Sequence, residues 1–528
     1  MTPSTCSKWI VKSAVALVMI GSLSACAGGY AGRAASYVTA ADVVAGRVVF
    51  DPSWLEQARA RDQAGERPIN AIVTYAPGLD RPQAWTGEGA LGGVPVLIKD
   101  NIETRDMPTT AGSLALIAND TGRDAPIVAR LRASGAVIMG KTNLSEWANI
   151  RSPKSISGWS AVGGLTRNPH DLARSACGSS SGSGAAVAAG LAPVAIGTET
   201  DGSIVCPAAV NGIVGFKPTV GLVSRTHIVP ISHTQDTAGP MTLTVEDAAI
   251  VLGVIAGSDP ADPATVEADS RKRDYHAALD ANALSGQRIG VMRGLTGYDA
   301  ATDAVFEQQL AVLRQAGAIL VEIVEKPDAQ AIGGGEIITL LTELKADLAL
   351  YLASTDPAKV PVRTLADVIA FNNGNPRELS IFGQEFFEIA EKRGGLEDLE
   401  YRTARDNAVR LAGVEGIDRL LARHDVVALV APTTGPAWQI DQVKGDVVGG
   451  SASQLAAVAG YPHLTVPMGQ VDGLPVGMSF FGAKWDDARI LSLGYAYEQK
   501  SRARITPRLM TGAVADGGDS ESYRPYRR

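Results

Sequence analysis

The chain has 528 residues, 45% hydrophobic and 20% charged, an ordinary globular composition that excludes a disordered or fibrous polypeptide. Its formal charge of −8 leaves no basic footprint for nucleic acid, and its 4 cysteines are too few for a disulfide-built scaffold. The length permits two or three domains, but there is no fixed-period repeat and the strand–helix–strand pattern recurs, so one large α/β domain is expected.

From the N-terminus, Lys8 and Lys12 precede an apolar stretch from Ser13 to Leu23. That stretch is shorter than the roughly 20 residues a bilayer-spanning helix needs, so it reads as a secretory signal. Leu23-Ser24-Ala25-Cys26 is similar to a bacterial lipobox, with small residues just ahead of a cysteine. The likeness implies a lipoprotein signal peptide over residues 1–25 and an acyl anchor on Cys26. Residues 26–48, rich in Ala and Gly, would be the lipidated tether, holding the protein on a membrane that faces the periplasm or the cell exterior. An ordinary signal peptide cut near Ala25 or Ala27 is the alternative.

Asp51-Pro52 offers an N-cap and a first-turn proline for a helix through Trp54, Leu55 and Ala58. Val94 to Ile98 reads as a buried strand, Asp124 to Ser134 as a helix stopped by Gly135, and Ala136 to Met139 as the next strand. Further on, Thr244 and Asp247 resemble a capping box ahead of the apolar run Ala248 to Ala256. Ile289 to Met292 and Ala318 to Ile323 read as strands around a helix that carries Phe306, Leu310 and Leu313. Residues 335–424 look helical and polar, an insertion or cap over a site. Val426 to Ala431 is a last buried strand stopped by Pro432, and residues 506–528 are expected to be a disordered tail.

The densest chemical signal lies between Cys177 and Pro207: CGSSSGSGAAVAAGLAPVAIGTETDGSIVCP. Gly and Ser alone would suggest a linker. Here they run directly into the helix-forming Ala185 to Leu191, then the apolar Val194 to Ile196, then a second turn, Thr200-Asp201-Gly202-Ser203. Such small residues let backbone amides approach a substrate closely, as an oxyanion pocket requires. No Gly-Lys-Ser/Thr closes the loop, so a phosphate-binding loop is not supported. Gly178 to Gly182 also fits the G-x-S-x-G nucleophile elbow, with His424 or His463 as base. That motif needs a strand immediately before it, and the polar, proline-broken Asn168 to Arg174 argues against one. Cys177 and Cys206 flank the region. They are expected to be free and packed, with a disulfide in an oxidising periplasm as the alternative. No His/Cys cluster has metal-ligand spacing, so neither a metal nor a cofactor is expected.

The segment 177–207 resembles the amidase signature, in which a serine-rich loop is followed 24 positions later (203 − 179) by the nucleophilic serine. Several other blocks are similar to the same family and stand in the same order: Gly93 to Asp100, Gly140 to Asn143 with Glu146, Thr166 to Pro169, Gly215 to Thr219, Val466 to Gly469, Gly473 to Gly477 and Ala496 to Gln499. The resemblance implies one amidase domain over residues 49–505, α/β, with a central mixed sheet flanked by helices on both faces. It implies a Ser-Ser-Lys triad: Ser203 as nucleophile, Ser179 as proton relay after a cis peptide bond, and Lys99 as base. The amides of Thr200, Asp201, Gly202 and Ser203 would form the oxyanion hole, and Ser180 would support the network. A buried lysine suits this role, because desolvation disfavours the ammonium and lets the amine accept a proton near neutrality.

Val205, Cys177, Ser181 and Asp201 depart from the usual signature without removing a catalytic group. With Ser145 to Asn149 and Ile156 to Ser160, the segment Gly197 to Pro207 looks like the peptide-amidase branch. The expected reaction is hydrolysis of a carboxamide, on C-terminal peptide amides, to carboxylate and ammonia. A generic aliphatic or aryl amidase is the alternative, and a non-catalytic tethered binding lipoprotein is an alternative of a different class.

Overall fold

The computed structural model describes residues 37–508 and 521–526, so residues 1–25, read as a signal peptide, and Cys26 lie outside the described residues. The described residues from Val38 onward form one compact unit. Among the described residues no helix is long and apolar enough to cross a membrane.

Its centre is an 11-stranded sheet. In chain order the strands are β1 (Ile72–Tyr75), β2 (Pro95–Lys99), β3 (Val137–Thr142), β4 (Val194–Glu199), β5 (Val214–Lys217) and β6 (Thr237–Thr242), then β7 (Arg288–Met292), β8 (Ile319–Ile323), β9 (Ala428–Pro432), β10 (His463–Val471) and β11 (Leu474–Phe481). They lie side by side as β1-β3-β2-β4-β6-β5-β10-β11-β9-β7-β8. The pairs β2·β3, β2·β4, β7·β8 and β7·β9 are parallel and the others antiparallel, so the sheet is mixed, as the resemblance implied. Every residue of β2 and β4 is buried. That is why their sequences read as continuous apolar runs and do not alternate.

The small-residue helix expected at Ala185 to Leu191 begins earlier, at Ser181, and ends at Ala188. All eight of its residues are buried. A Cβ on Gly182 would stand 2.3 Å from the Ala71 carbonyl oxygen and 2.6 Å from that of Asn143, so only glycine fits there. The helix Val205–Asn211 follows the second turn and is closed by Gly212 at φ +68°. Residues 329–424 are mostly helical, starting with the 25-residue helix Ala329–Ala353.

The structure differs from expectation at both ends. Residues 38–48, read as tether, pack on the domain: the short helix Ala40–Val44 buries Ala40 and Val43, and the Ala41 N–H donates to Asp247 at 2.9 Å. Asp247 is thereby drawn away from the reciprocal capping bond expected of it, and only Thr244 caps, accepting from the Asp247 N–H. In the tail, residues 521–526 are ordered on the domain. Trp159 Nε1 donates to the Ser522 carbonyl at 2.8 Å, Tyr526 N–H donates to Val162, and Tyr523 is buried in a cluster with Trp159, Leu165 and Phe382. A polar, Gly-rich composition hid this one aromatic anchor.

Candidate active site

Parallel pairing of β2 with β4, Ile98 opposite Ile196, carries the ends of both strands to the same edge of the sheet. Lys99 closes β2, and Thr198 and Glu199 close β4. Crevices at the carboxyl ends of such strands are where α/β sheets bind ligands.

Lys99 is fully buried. Its Nζ lies 2.7 Å from Ser179 Oγ, 2.8 Å from Thr198 Oγ1 and 3.1 Å from the Thr198 carbonyl oxygen. Among the described residues no carboxylate touches it, so burial dominates and pulls the amine down to about 7, against the opposing pull of the Asp236 and Glu199 charges. Ser179 follows a cis peptide bond from Gly178, as the resemblance implied. Ser180 clasps β4: its hydroxyl donates to the Thr198 carbonyl at 3.1 Å and accepts the Thr198 N–H at 3.2 Å. The Ser180 N–H donates to the Ser203 carbonyl at 3.2 Å, which brings the second serine beside the first through the backbone. Among the described residues the Ser203 hydroxyl makes no hydrogen bond, and no bond joins it to Ser179 Oγ.

The turn that bears Ser203 is held from below. Glu199 accepts the N–H groups of Ile204 at 2.7 Å and Val205 at 3.0 Å, and Gly202 adopts φ +74°. The amides of Thr200, Asp201, Gly202 and Ser203 donate to no group among the described residues. Thr200 Oγ1 donates to Asp236 at 2.6 Å, and the other Asp236 oxygen accepts the N–H groups of Ile231 and Ser232. Burial pushes the Asp236 carboxyl up to about 6. The Asp201 carboxyl is buried against Glu336 from the helix Ala329–Ala353. Burial raises both carboxyls, and the Glu336 charge raises Asp201 further.

Cys177 and Cys206 form a disulfide, with Cα atoms 6.1 Å apart, so they are not free packed cysteines. The loop before Ser179 and the helix after Ser203 meet closely enough for the sulfurs to bond, a proximity hidden in a separation of 29 residues.

The elbow alternative fails. A short strand, Asp171–Ser175, does precede Gly178, contrary to the sequence reading, but it pairs with Arg167–Asn168 in a separate ribbon outside the central sheet. His424 is bonded to Glu325. His463 is buried against Ser479 and pushed down to about 3, chiefly by burial. Neither histidine touches a serine of the loop. Asp100 pairs with buried Lys141 at 3.0 Å and has a structural role.

A cavity of about 460 Å³ opens beside these groups. Asn101, Thr198 and Thr200 line it at the site, Ile228 to Ile231 form an apolar wall, and Leu350 and Tyr351 of the helix Ala329–Ala353 face it. Thr198, Asn101, Asp236 and Glu199 were all missed in the sequence. Thr198 and Glu199 stood inside the very segment that carries the resemblance, and Asn101 lies two residues past Lys99.

A family model described as Amidase matches residues 68–491. The chain belongs to the Amidase family. It is 39% identical over 430 residues to a probable amidase of Arabidopsis thaliana, covering 80% of this chain and 79% of that one. Among solved structures, the native peptide amidase of Stenotrophomonas maltophilia is 49% identical with a TM-score of 0.83, covering 89% of this chain and 97% of that chain. The peptide amidase PAM, in complex with the competitive inhibitor chymostatin, is 49% identical with a TM-score of 0.85, covering 90% and 99%. This amidase is a serine hydrolase of amide C–N bonds. A non-catalytic binding lipoprotein is not supported.

Proposed function

We propose that this amidase converts C-terminal carboxamides of peptides to carboxylates and ammonia through an acyl-enzyme on Ser203. The 2.7 Å contact of a desolvated Lys99 with Ser179 carries the mechanism. A neutral amine has two N–H donors and one lone pair. The Thr198 carbonyl and hydroxyl take the two donors, which leaves the lone pair for the Ser179 O–H. As Ser203 Oγ attacks the substrate carbonyl, its proton passes to Ser179 Oγ and the Ser179 proton passes to Lys99. The unengaged amides of residues 200–203 receive the oxyanion; each such donor is worth on the order of 10²–10³ in rate. Collapse breaks the C–N bond, and the relay returns the proton to the departing ammonia. Water then hydrolyses the acyl-enzyme by the same route.

The likeness to peptide amidases supports the substrate assignment. Ammonia release from peptide amides, simple aliphatic amides and aryl amides tests it. Selectivity for the peptide amides is expected, and equal rates on all three classes would reduce the enzyme to a generic amidase. Ser203→Ala should abolish release; unchanged release would end the assignment of Ser203.

We further propose that the protein is exported and lipid-anchored at Cys26. The Cys177–Cys206 disulfide supports export, because such bonds persist in oxidising compartments. Cys26→Ser should move the protein from the membrane to the soluble fraction; retention at the membrane would rule the anchor out.

A further inference from the structure

Among the described residues that line the cavity, one buried side-chain polar atom has no hydrogen-bond partner: Asn101 Oδ1. Asn101 is 2% exposed. Two of its other polar groups are pinned. Its carbonyl accepts the Val229 N–H at 2.8 Å, and its Nδ2 donates to Thr198 Oγ1 at 3.0 Å. The same Thr198 hydroxyl bonds Lys99 Nζ. The unpaired oxygen is therefore fixed in direction and stands one hydrogen-bonded side chain away from the proposed base. A buried acceptor with no donor is costly, and one on a side chain that lines the cavity points to a ligand that brings the donor.

We propose that Asn101 Oδ1 accepts the backbone N–H of the substrate's terminal residue, the N–H two bonds from the scissile carbonyl. This rests on the peptide-amide reading and sharpens it. The recognised class is then the α-acylamino carboxamides, and simple aliphatic or aryl amides, which have no such N–H, leave the acceptor unpaired. The carboxamide NH₂ is the other N–H donor next to the scissile carbonyl, but it departs as ammonia during the reaction. A site built around a hydrogen bond rejects the analogue that lacks it far more strongly than an apolar pocket rejects a missing methylene.

The test compares a dipeptide amide with its analogue in which oxygen replaces that single N–H, a 2-acyloxy amide with the same carboxamide, and reads ammonia release. Wild type should prefer the peptide amide by at least about tenfold in kcat/KM. In Asn101→Ala the preference should shrink to within about threefold. Three results would overturn the proposal: a variant that keeps the full preference, a wild-type ratio near one, or a preference for the oxygen analogue, which would mean that the side chain presents its NH₂ to the substrate. An equal fall on every substrate would also overturn it, since Asn101 would then act only by positioning Thr198 and Lys99. If Asn101→Ala does not fold, the wild-type ratio decides alone. A wild type that hydrolyses simple amides and no peptide amide would sink the peptide-amide reading along with this one, whereas good peptide-amide turnover without discrimination sinks this one only.

Discussion

At Lys99 the lost hydration is met by two hydroxyls and a carbonyl, all neutral, so nothing in contact holds the proton on the amine. The proposed base works when uncharged and its amine sits at about 7, so kcat/KM should rise with pH through about 7 and level off above it. On the acid side it should fall about tenfold per pH unit. A profile of ammonia release that is flat from acid to alkaline pH would contradict this assignment. Asp236 is a more distant carboxylate that raises the Lys99 amine, so Asp236→Asn should shift the acid limb to lower pH; a shift in the opposite direction would count against it. The residues of the proposed relay were legible because their types and spacing carry the family likeness. Thr198, Asn101 and Asp236 were not, since their roles depend on which side chains become neighbours across β2, β4 and the loop before β6. That register is set by tertiary pairing and leaves no local pattern.

Two connections between elements hold the site in shape. Arg151, fully buried, pairs with Glu146 and, at 3.4 Å, with Glu378, and so ties the helical region 329–424 to the segment after β3. Removing one partner of such a cluster strands the others in a low-dielectric interior. Arg151→Ala should therefore cost about 3–5 kcal/mol in urea unfolding, and a loss below about 1 kcal/mol would show that water reaches the cluster. The second connection is the disulfide. Cys177→Ser with Cys206→Ser should lower stability by about 2–4 kcal/mol, and reductant should produce the same loss in wild type and none in the variant. Most helices and strands were readable from apolar runs and from Gly or Pro stops: β2, β3 and β7 to β9 fall within a few residues of expectation. The ribbon strand Asp171–Ser175 was not, because it is too short and too polar to show a period.

Across the molecule, distant stretches of sequence close on one another. Residues 521–526 return to cover Trp159, with Tyr523 as the buried plug beside Arg167. Tyr523→Ala should cost about 2–4 kcal/mol by denaturant titration, and an unchanged midpoint would mean that the segment is bystander surface. The mixed sheet was expected from family likeness, and its strand order could not be read from composition or periodicity. The Cys177–Cys206 bond also has a topological result. It turns the stretch between those positions into a covalent ring that carries both hydroxyls of the proposed relay, along with β4 and the glycine-packed helix, while Lys99 stays outside. A protease that severs one peptide link inside that ring leaves every fragment attached. The nicked enzyme would run as a single band on a denaturing gel until thiol is added, and only then come apart.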